Sequence, residues 1–274
     1  MSRVSERFER LRREGSGAFI PYVCAGDPDF DFTLRQIERL AKSGADIFEI
    51  GLPFSDPIAD GPVIQGAMNR SLSSGFRTKD VFDLISFSRM RGVDQPMIVM
   101  TYYNPLLRFG VASFCEKLAE AGGDGLLVVD LPPEESKELD GAARTNALDV
   151  VRLVAPSTAD SRLDFILSRT SGFVYAVSVA GTTGARIQLP ASAERLLDRV
   201  TARSGIPVVL GFGVSSPSHV RAALSMGASG IVEGSRLISI YSDSLNDKDK
   251  ALDLIESHAK EMKTATLLTE RHNG

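Results

Sequence analysis

One acidic residue interrupts the apolar run Asp46-Ile-Phe-Glu-Ile-Gly51, and two more aspartates, Asp56 and Asp60, follow in Leu-Pro-Phe-Ser-Asp-Pro-Ile-Ala-Asp60. Burying an unpaired carboxylate is costly, so Glu49 must either pair with a cation or take up a proton. A carboxyl tuned toward neutrality suits general acid–base chemistry. The competing reading is a structural ion pair, for which Arg152 is the one candidate partner on another apolar run. Asp60 also reads two ways. It is a second reactive carboxylate, or it caps the helical stretch Val63–Leu72, which Gly61-Pro62 opens in the manner of a helix first turn. Asp130 precedes Leu131-Pro-Pro133 and fits a cap or turn. Tyr102 and Tyr175 stand at or near the ends of two further runs; tyrosines there usually pack, but their hydroxyls would face the same cavity as Glu49.

A second chemistry is written in glycines. Gly211-Phe-Gly213 ends one apolar run, Gly234-Ser235 follows another and opens a short helix, and Gly181-Thr-Thr-Gly184 lies in the loop after the run that precedes both. Glycines let backbone N–H groups close on an anion, and a helix N-terminus favours negative charge. Together they point to a phosphorylated ligand without naming it.

Side chains so scattered along the chain need a scaffold that gathers them. Apolar, β-rich runs recur at Ala18–Val23, Asp46–Gly51, Met97–Tyr102, Gly125–Val129, Val150–Val154, Phe173–Val179, Pro207–Gly211 and Gly230–Glu233. Amphipathic stretches alternate with them, among them Phe32–Lys42, Val111–Ala121, Pro133–Ala143, Ser161–Ser168, Ser192–Arg203 and Pro217–Met226. Alternation of this kind implies parallel strands joined by crossover helices. About eight such units fill 274 residues, the count and length of an α/β fold of the (β/α)8 TIM-barrel type. The expected organisation is one barrel domain over 1–274, with Val4, Phe8 and Leu11 at helical spacing marking an extra N-terminal helix. Ser43-Gly-Ala-Asp46, Ala121-Gly-Gly-Asp124 and Met226-Gly-Ala-Ser229 each sit at a helix-to-strand junction, where a left-handed glycine ends the helix. Long loops follow the second and sixth strands, and barrel sites are built from loops at that end.

Composition narrows the function classes. A net charge of −4 and a pI of about 5.5 leave no electrostatic footprint for nucleic acid. The two cysteines, Cys24 and Cys115, have no metal or redox spacing and read as buried apolar groups in a reducing compartment. The three histidines lie near no ligand pattern, so neither a metal site nor a histidine triad is expected. No secretory h-region, presequence pattern or membrane span is read, and a cytoplasmic protein is expected.

Taken together, these stretches resemble the tryptophan synthase alpha subunit family over nearly the whole chain. The resemblance is carried by Ile20-Pro-Tyr-Val-Cys-Ala-Gly-Asp-Pro28, Pro53-Phe-Ser-Asp-Pro-Ile-Ala-Asp-Gly-Pro62, Met100-Thr-Tyr-Tyr-Asn-Pro105, Val128-Val-Asp-Leu-Pro-Pro133, Gly181-Thr-Thr-Gly-Ala185 and Gly211-Phe-Gly213. It implies retro-aldol cleavage of indole-3-glycerol phosphate to indole and glyceraldehyde 3-phosphate in L-tryptophan biosynthesis, a lyase activity. It implies no metal or cofactor in this subunit. The implied partner is a beta subunit carrying pyridoxal phosphate, in an alpha2beta2 heterotetramer. By the same resemblance Glu49 moves the protons, Asp60 holds the ring nitrogen and Tyr175 positions the reacting chain. Gly184, Gly213, Gly234 and Ser235 would hold the phosphate, while Tyr22, Met100, Tyr102, Leu127 and Val129 would wall the indole. Thr183 would ride on a closing loop, and Asp56 and Asn104 would face the partner. Val179 stands where many members carry arginine.

Overall fold

The computed structural model describes residues 1–177, 189–211 and 213–267. Eight parallel strands close into a barrel in chain order. They are β1 (Ala18–Cys24), β2 (Phe48–Gly51), β3 (Met97–Thr101), β4 (Gly125–Val128), β5 (Asp149–Val154), β6 (Val174–Val177), β7 (Val208–Gly211) and β8 (Gly230–Glu233). Every run read from the sequence contains a strand: β2, β3, β4 and β7 are one or two residues shorter than read, β1 and β5 one residue longer, β8 matches, and the end of the sixth run lies outside the described residues.

Among the described residues, α1 (Arg3–Arg13) and α2 (Phe30–Lys42) flank β1, while α3 (Pro62–Ser73) and α4 (Asp80–Met90) join β2 to β3. Then come α5 (Tyr103–Phe109), α6 (Val111–Glu120), α7 (Lys137–Thr145), α8 (Asp160–Leu167), α9 (Ala191–Thr201) and α10 (Pro217–Ser225) between later strands. After β8, α11 (Ser235–Ser242) and α12 (Lys248–Thr264) complete the ring. Helix α1 buries Val4, Phe8 and Leu11, as its spacing predicts. Phe8 packs on Phe173 with ring centroids 5.9 Å apart, and Arg3 reaches Asp124 at 3.3 Å. Both partners sit just before strands, so α1 covers the N-terminal end of the barrel and leaves the C-terminal mouth for chemistry.

The repeated junction phrase has a second use that the glycines alone did not signal. Gly44, Gly122 and Gly227 end their helices with φ of +96°, +87° and +91°. Two residues later, Asp46 accepts from the Phe19 N–H at 2.8 Å and Asp124 from the Met97 N–H at 2.8 Å. Each aspartate thus satisfies the backbone donor at the start of the preceding strand, and each is neutralised by a cation, Lys263 or Arg89. Ser229 does the same more weakly for Val208, at 3.4 Å.

Strand register sets the interior. Tyr22, Glu49 and Ile98 pair across β1–β3, and Gly51, Met100, Leu127 and Val151 form the next layer toward the mouth. Paired residues in parallel strands share a face, so all of these point inward.

Candidate active site

Glu49 lies in the inner layer of β2 and is 4% exposed. Burial first, and then the negative charge of Asp60, push its carboxyl up to about 8. Among the described residues no cation offsets this. Arg152 is one position out of phase with Val151, which faces inward, so it points to the helical layer. There it pairs with Asp140 and donates to Ser136 Oγ at 2.7 Å and to the Arg169 carbonyl at 3.2 Å. The expected alternative of a Glu49–Arg152 pair is therefore wrong, and strand alternation is the physical reason.

Asp60 is 1% exposed and does not cap α3. Gly61 occupies the N-cap with no side-chain bond, and Pro62 opens the first turn without needing one. The Asp60 carboxylate instead accepts from the Tyr102 hydroxyl at 2.7 Å. That hydroxyl in turn accepts from the Ala59 N–H at 3.0 Å. Tyr102, expected as a wall with its hydroxyl facing the cavity, thus fixes the loop and its carboxylate together. Burial raises the Asp60 pKa and the Tyr102 hydrogen bond opposes it, favouring the anion. The negative charge of Asp60 disfavours ionisation of Glu49, and both raise the already high pKa of Tyr175. The three acids therefore face one cavity: burial pushes the Glu49 carboxyl up to about 8, the Tyr102 hydroxyl opposes the upward shift of Asp60, and Tyr175 stays a phenol.

Two glycines shape this cavity in a way the sequence reading missed. A Cβ on Gly51 would fall 2.1 Å from the Tyr22 hydroxyl, and one on Gly211 would fall 2.3 Å from the Tyr175 ring. Gly211, read as part of an anion loop, is first of all the seat of Tyr175. The signal was available: on adjoining strands, glycine faces inward one layer above a large aromatic. Gly211→Ala should cost about 1–3 kcal/mol of stability by overpacking. It should also lower kcat/KM about tenfold or more by displacing the tyrosine. Urea unfolding and steady-state kinetics would check both.

Met100 and Leu127 line the same face, buried, and Val129 stands half-buried at the end of β4. Gly213 has φ of +84°, the left-handed conformation its turn requires. Gly234 is the N-cap of α11, and Ser235 its first residue. A Cβ on Gly234 would meet Tyr22 Cβ at 3.3 Å, which places this helix start beside the aromatic wall. Thr183 and Gly184, with Val179, lie outside the described residues. Asp130 accepts from the Tyr103 N–H at 2.7 Å, so it caps α5 of the preceding unit. Asp56 and Asn104 are exposed, beside Ile58 and Leu107, which are 81% and 52% exposed. Among the described residues no group of three or more His, Cys, Asp or Glu could hold a metal ion, and no helix is long and apolar enough to cross a membrane.

A closed parallel barrel with a buried carboxyl pair in its interior and a helix N-terminus beside it fits a class: (β/α)8 enzymes that do acid–base chemistry in a desolvated cavity. Comparison with known proteins narrows the class. The family model for the tryptophan synthase alpha chain matches residues 8–267. The tryptophan synthase alpha chain of Carboxydothermus hydrogenoformans is 42% identical over 97% of this chain and 100% of the relative. That of Roseiflexus sp. is 44% identical over 88% and 92%. Among solved structures, Mycobacterium tuberculosis tryptophan synthase superposes with a TM-score of 0.90 at 35% identity, covering 98% of this chain and 99% of the other. The alpha subunit from Legionella pneumophila gives 0.89 at 32% identity, covering 97% and 98%. The chain belongs to the tryptophan synthase alpha chain family, and is a lyase of tryptophan biosynthesis.

Proposed function

We propose that the chain, acting as one barrel domain, cleaves indole-3-glycerol phosphate through Glu49 and Asp60. The observation that carries this reading is Glu49 itself: a carboxyl in the barrel interior, pushed up to about 8, beside a second carboxylate oriented by a tyrosine. Protonated Glu49 gives its proton to the indole carbon that bears the glycerol chain. The ring becomes an indolenine with positive character at nitrogen, whose N–H donates to the Asp60 carboxylate. Glu49, now a carboxylate, takes the proton of the adjacent hydroxyl. The carbon–carbon bond breaks, its electron pair returns to the ring as neutral indole, and the hydroxyl carbon becomes the aldehyde of glyceraldehyde 3-phosphate. Glu49 ends protonated, ready for the next turn.

The anion cradle of Gly184, Gly213, Gly234 and Ser235 holds the phosphate. Tyr22, Met100, Tyr102, Leu127 and Val129 flank the flat ring, Tyr175 positions the chain, and the loop bearing Thr183 excludes water. These residues do proton chemistry with no cofactor of their own.

The partner in this reading is a tryptophan synthase beta subunit in an alpha2beta2 assembly in the cytoplasm, and pyridoxal phosphate belongs to that partner. Exposed Ile58 and Leu107, next to Asp56 and Asn104, give the docking face its apolar centre. Mixing the chain with a beta subunit should produce a larger species on size exclusion and faster indole formation. Two separate peaks with an unchanged rate would favour a free-standing lyase instead.

A further inference from the structure

The loop after β1 carries a carboxylate that the proposed reaction does not use. Asp27 is completely buried. Arg70 of α3 donates to it through two nitrogens, Nε to Oδ1 and Nη2 to Oδ2, both at 2.8 Å. The Tyr241 hydroxyl of α11 donates to the same Oδ2 in a short contact. Arg70 also reaches Ser242 Oγ at 3.2 Å, joining the two helices directly. Two serines near the C-terminal end of α3 add to the grip: Ser71 donates to the Ala25 carbonyl at 2.5 Å and Ser74 to the Gly26 carbonyl at 3.3 Å.

The placement matters because of what stands at the other ends. Helix α3 begins at Pro62, two residues after Asp60, and α11 begins at Ser235, beside Gly234. The C-terminal portions of both helices are therefore fastened to one buried carboxylate, while their N-termini approach the cavity. At about 1.5 Å per residue, Arg70 lies ~12 Å along α3 and Tyr241 ~9 Å along α11. A helix is stiff over two or three turns, so a slip at the fastened end is transmitted to the free end. The bidentate guanidinium–carboxylate geometry adds direction to the tie as well as strength.

We infer that Asp27, with Arg70 and Tyr241, is a positioning cluster that sets the spacing between Asp60 and the N-terminus of α11. This rests on the reading above, in which the substrate spans that gap with its ring at Asp60 and its phosphate at Gly234 and Ser235. A misplacement of about 1 Å costs on the order of 10²-fold in rate. The whole substrate should feel the tie, whereas an anion that touches only the helix start should not.

The test compares Asp27→Asn and Tyr241→Phe with the wild-type chain, each complexed with beta subunit and each shown folded by circular dichroism. The wild type must first release indole from indole-3-glycerol phosphate; if it does not, the functional reading and the inference fall together. Given that activity, Asp27→Asn should lower kcat/KM about 10²-fold and Tyr241→Phe about threefold to tenfold. Binding of inorganic phosphate, followed by calorimetry, should stay within about twofold of wild type in both, because it reads only the cradle. Wild-type kinetics in both variants would overturn the inference while leaving the functional reading intact. A parallel loss of phosphate binding would also overturn it, by making Asp27 part of the cradle. Should Asp27→Asn not fold, Tyr241→Phe removes only one hydroxyl and decides alone.

Discussion

Glu49→Gln is expected to fold and to lose indole formation by about 10³-fold or more, because the same carboxyl performs both proton transfers. Glutamine keeps the shape and the polarity of the side chain but neither donates a proton to carbon nor removes one from a hydroxyl. Wild-type kcat/KM should fall on the alkaline side with a pKa of about 8, where the protonated form is lost. The variant should lack that limb. The same shift makes a stability prediction of definite sign. The native pKa of Glu49 is raised above its unfolded value of 4.5, so the native state binds more protons between about 4.5 and 8. Stability from this group is therefore complete below 4.5 and is lost as pH rises through 8. Replacing it should relieve that loss, so Glu49→Gln should melt progressively higher than wild type as pH is raised from 5 to 9. Thermal melts across that range would check it. A variant with near-normal turnover would remove Glu49 from the mechanism.

Asp60→Asn should be the second large effect, about 10²–10³-fold in kcat, since it removes the charge opposite the developing cation. Asparagine would preserve the packing at this buried site and could still accept from Tyr102. The loss would therefore report charge. Tyr102→Phe offers a graded companion. Without the hydroxyl, Asp60 loses the Tyr102 hydrogen bond that opposes its upward shift. The acidic limb of the pH–rate profile should move to higher pH, with a several-fold loss of kcat at neutrality. An unchanged rate for Asp60→Asn would leave the residue a buried loop anchor.

The sequence made the barrel legible because its period is long and regular. Each apolar run became a strand, and three junction glycines adopted the left-handed conformation they imply. Glu49 was legible for the same reason, since a charge in a strand covered on both faces has nowhere to go. Asp60 was not resolved by local pattern, because Asp-Gly-Pro reads as readily as a helix cap as it does as a reactive loop. Its partner Tyr102 lies 42 residues away, and only the fold brings them together. Arg152 shows a reading that alternation could have corrected, one residue out of phase with the interior. The role of Gly51 and Gly211 shows only when adjoining strands are read together, because it lies in the ring that needs the space on the neighbouring strand. Asp27 stood out only within Ile20–Pro28, one of the stretches that carry the family resemblance, and its partners come from helices after β2 and β8.

The account stands most directly on whether the chain breaks the carbon–carbon bond of indole-3-glycerol phosphate. Purified chain should be incubated with that compound, alone and with a beta subunit, and indole and glyceraldehyde 3-phosphate followed together. The prediction is equal amounts of both products, formed slowly by the chain alone and faster in the complex. Binding of the substrate with no indole formed in either condition would contradict it, and would leave a phosphate-binding barrel whose two buried carboxyls do no chemistry on this ligand.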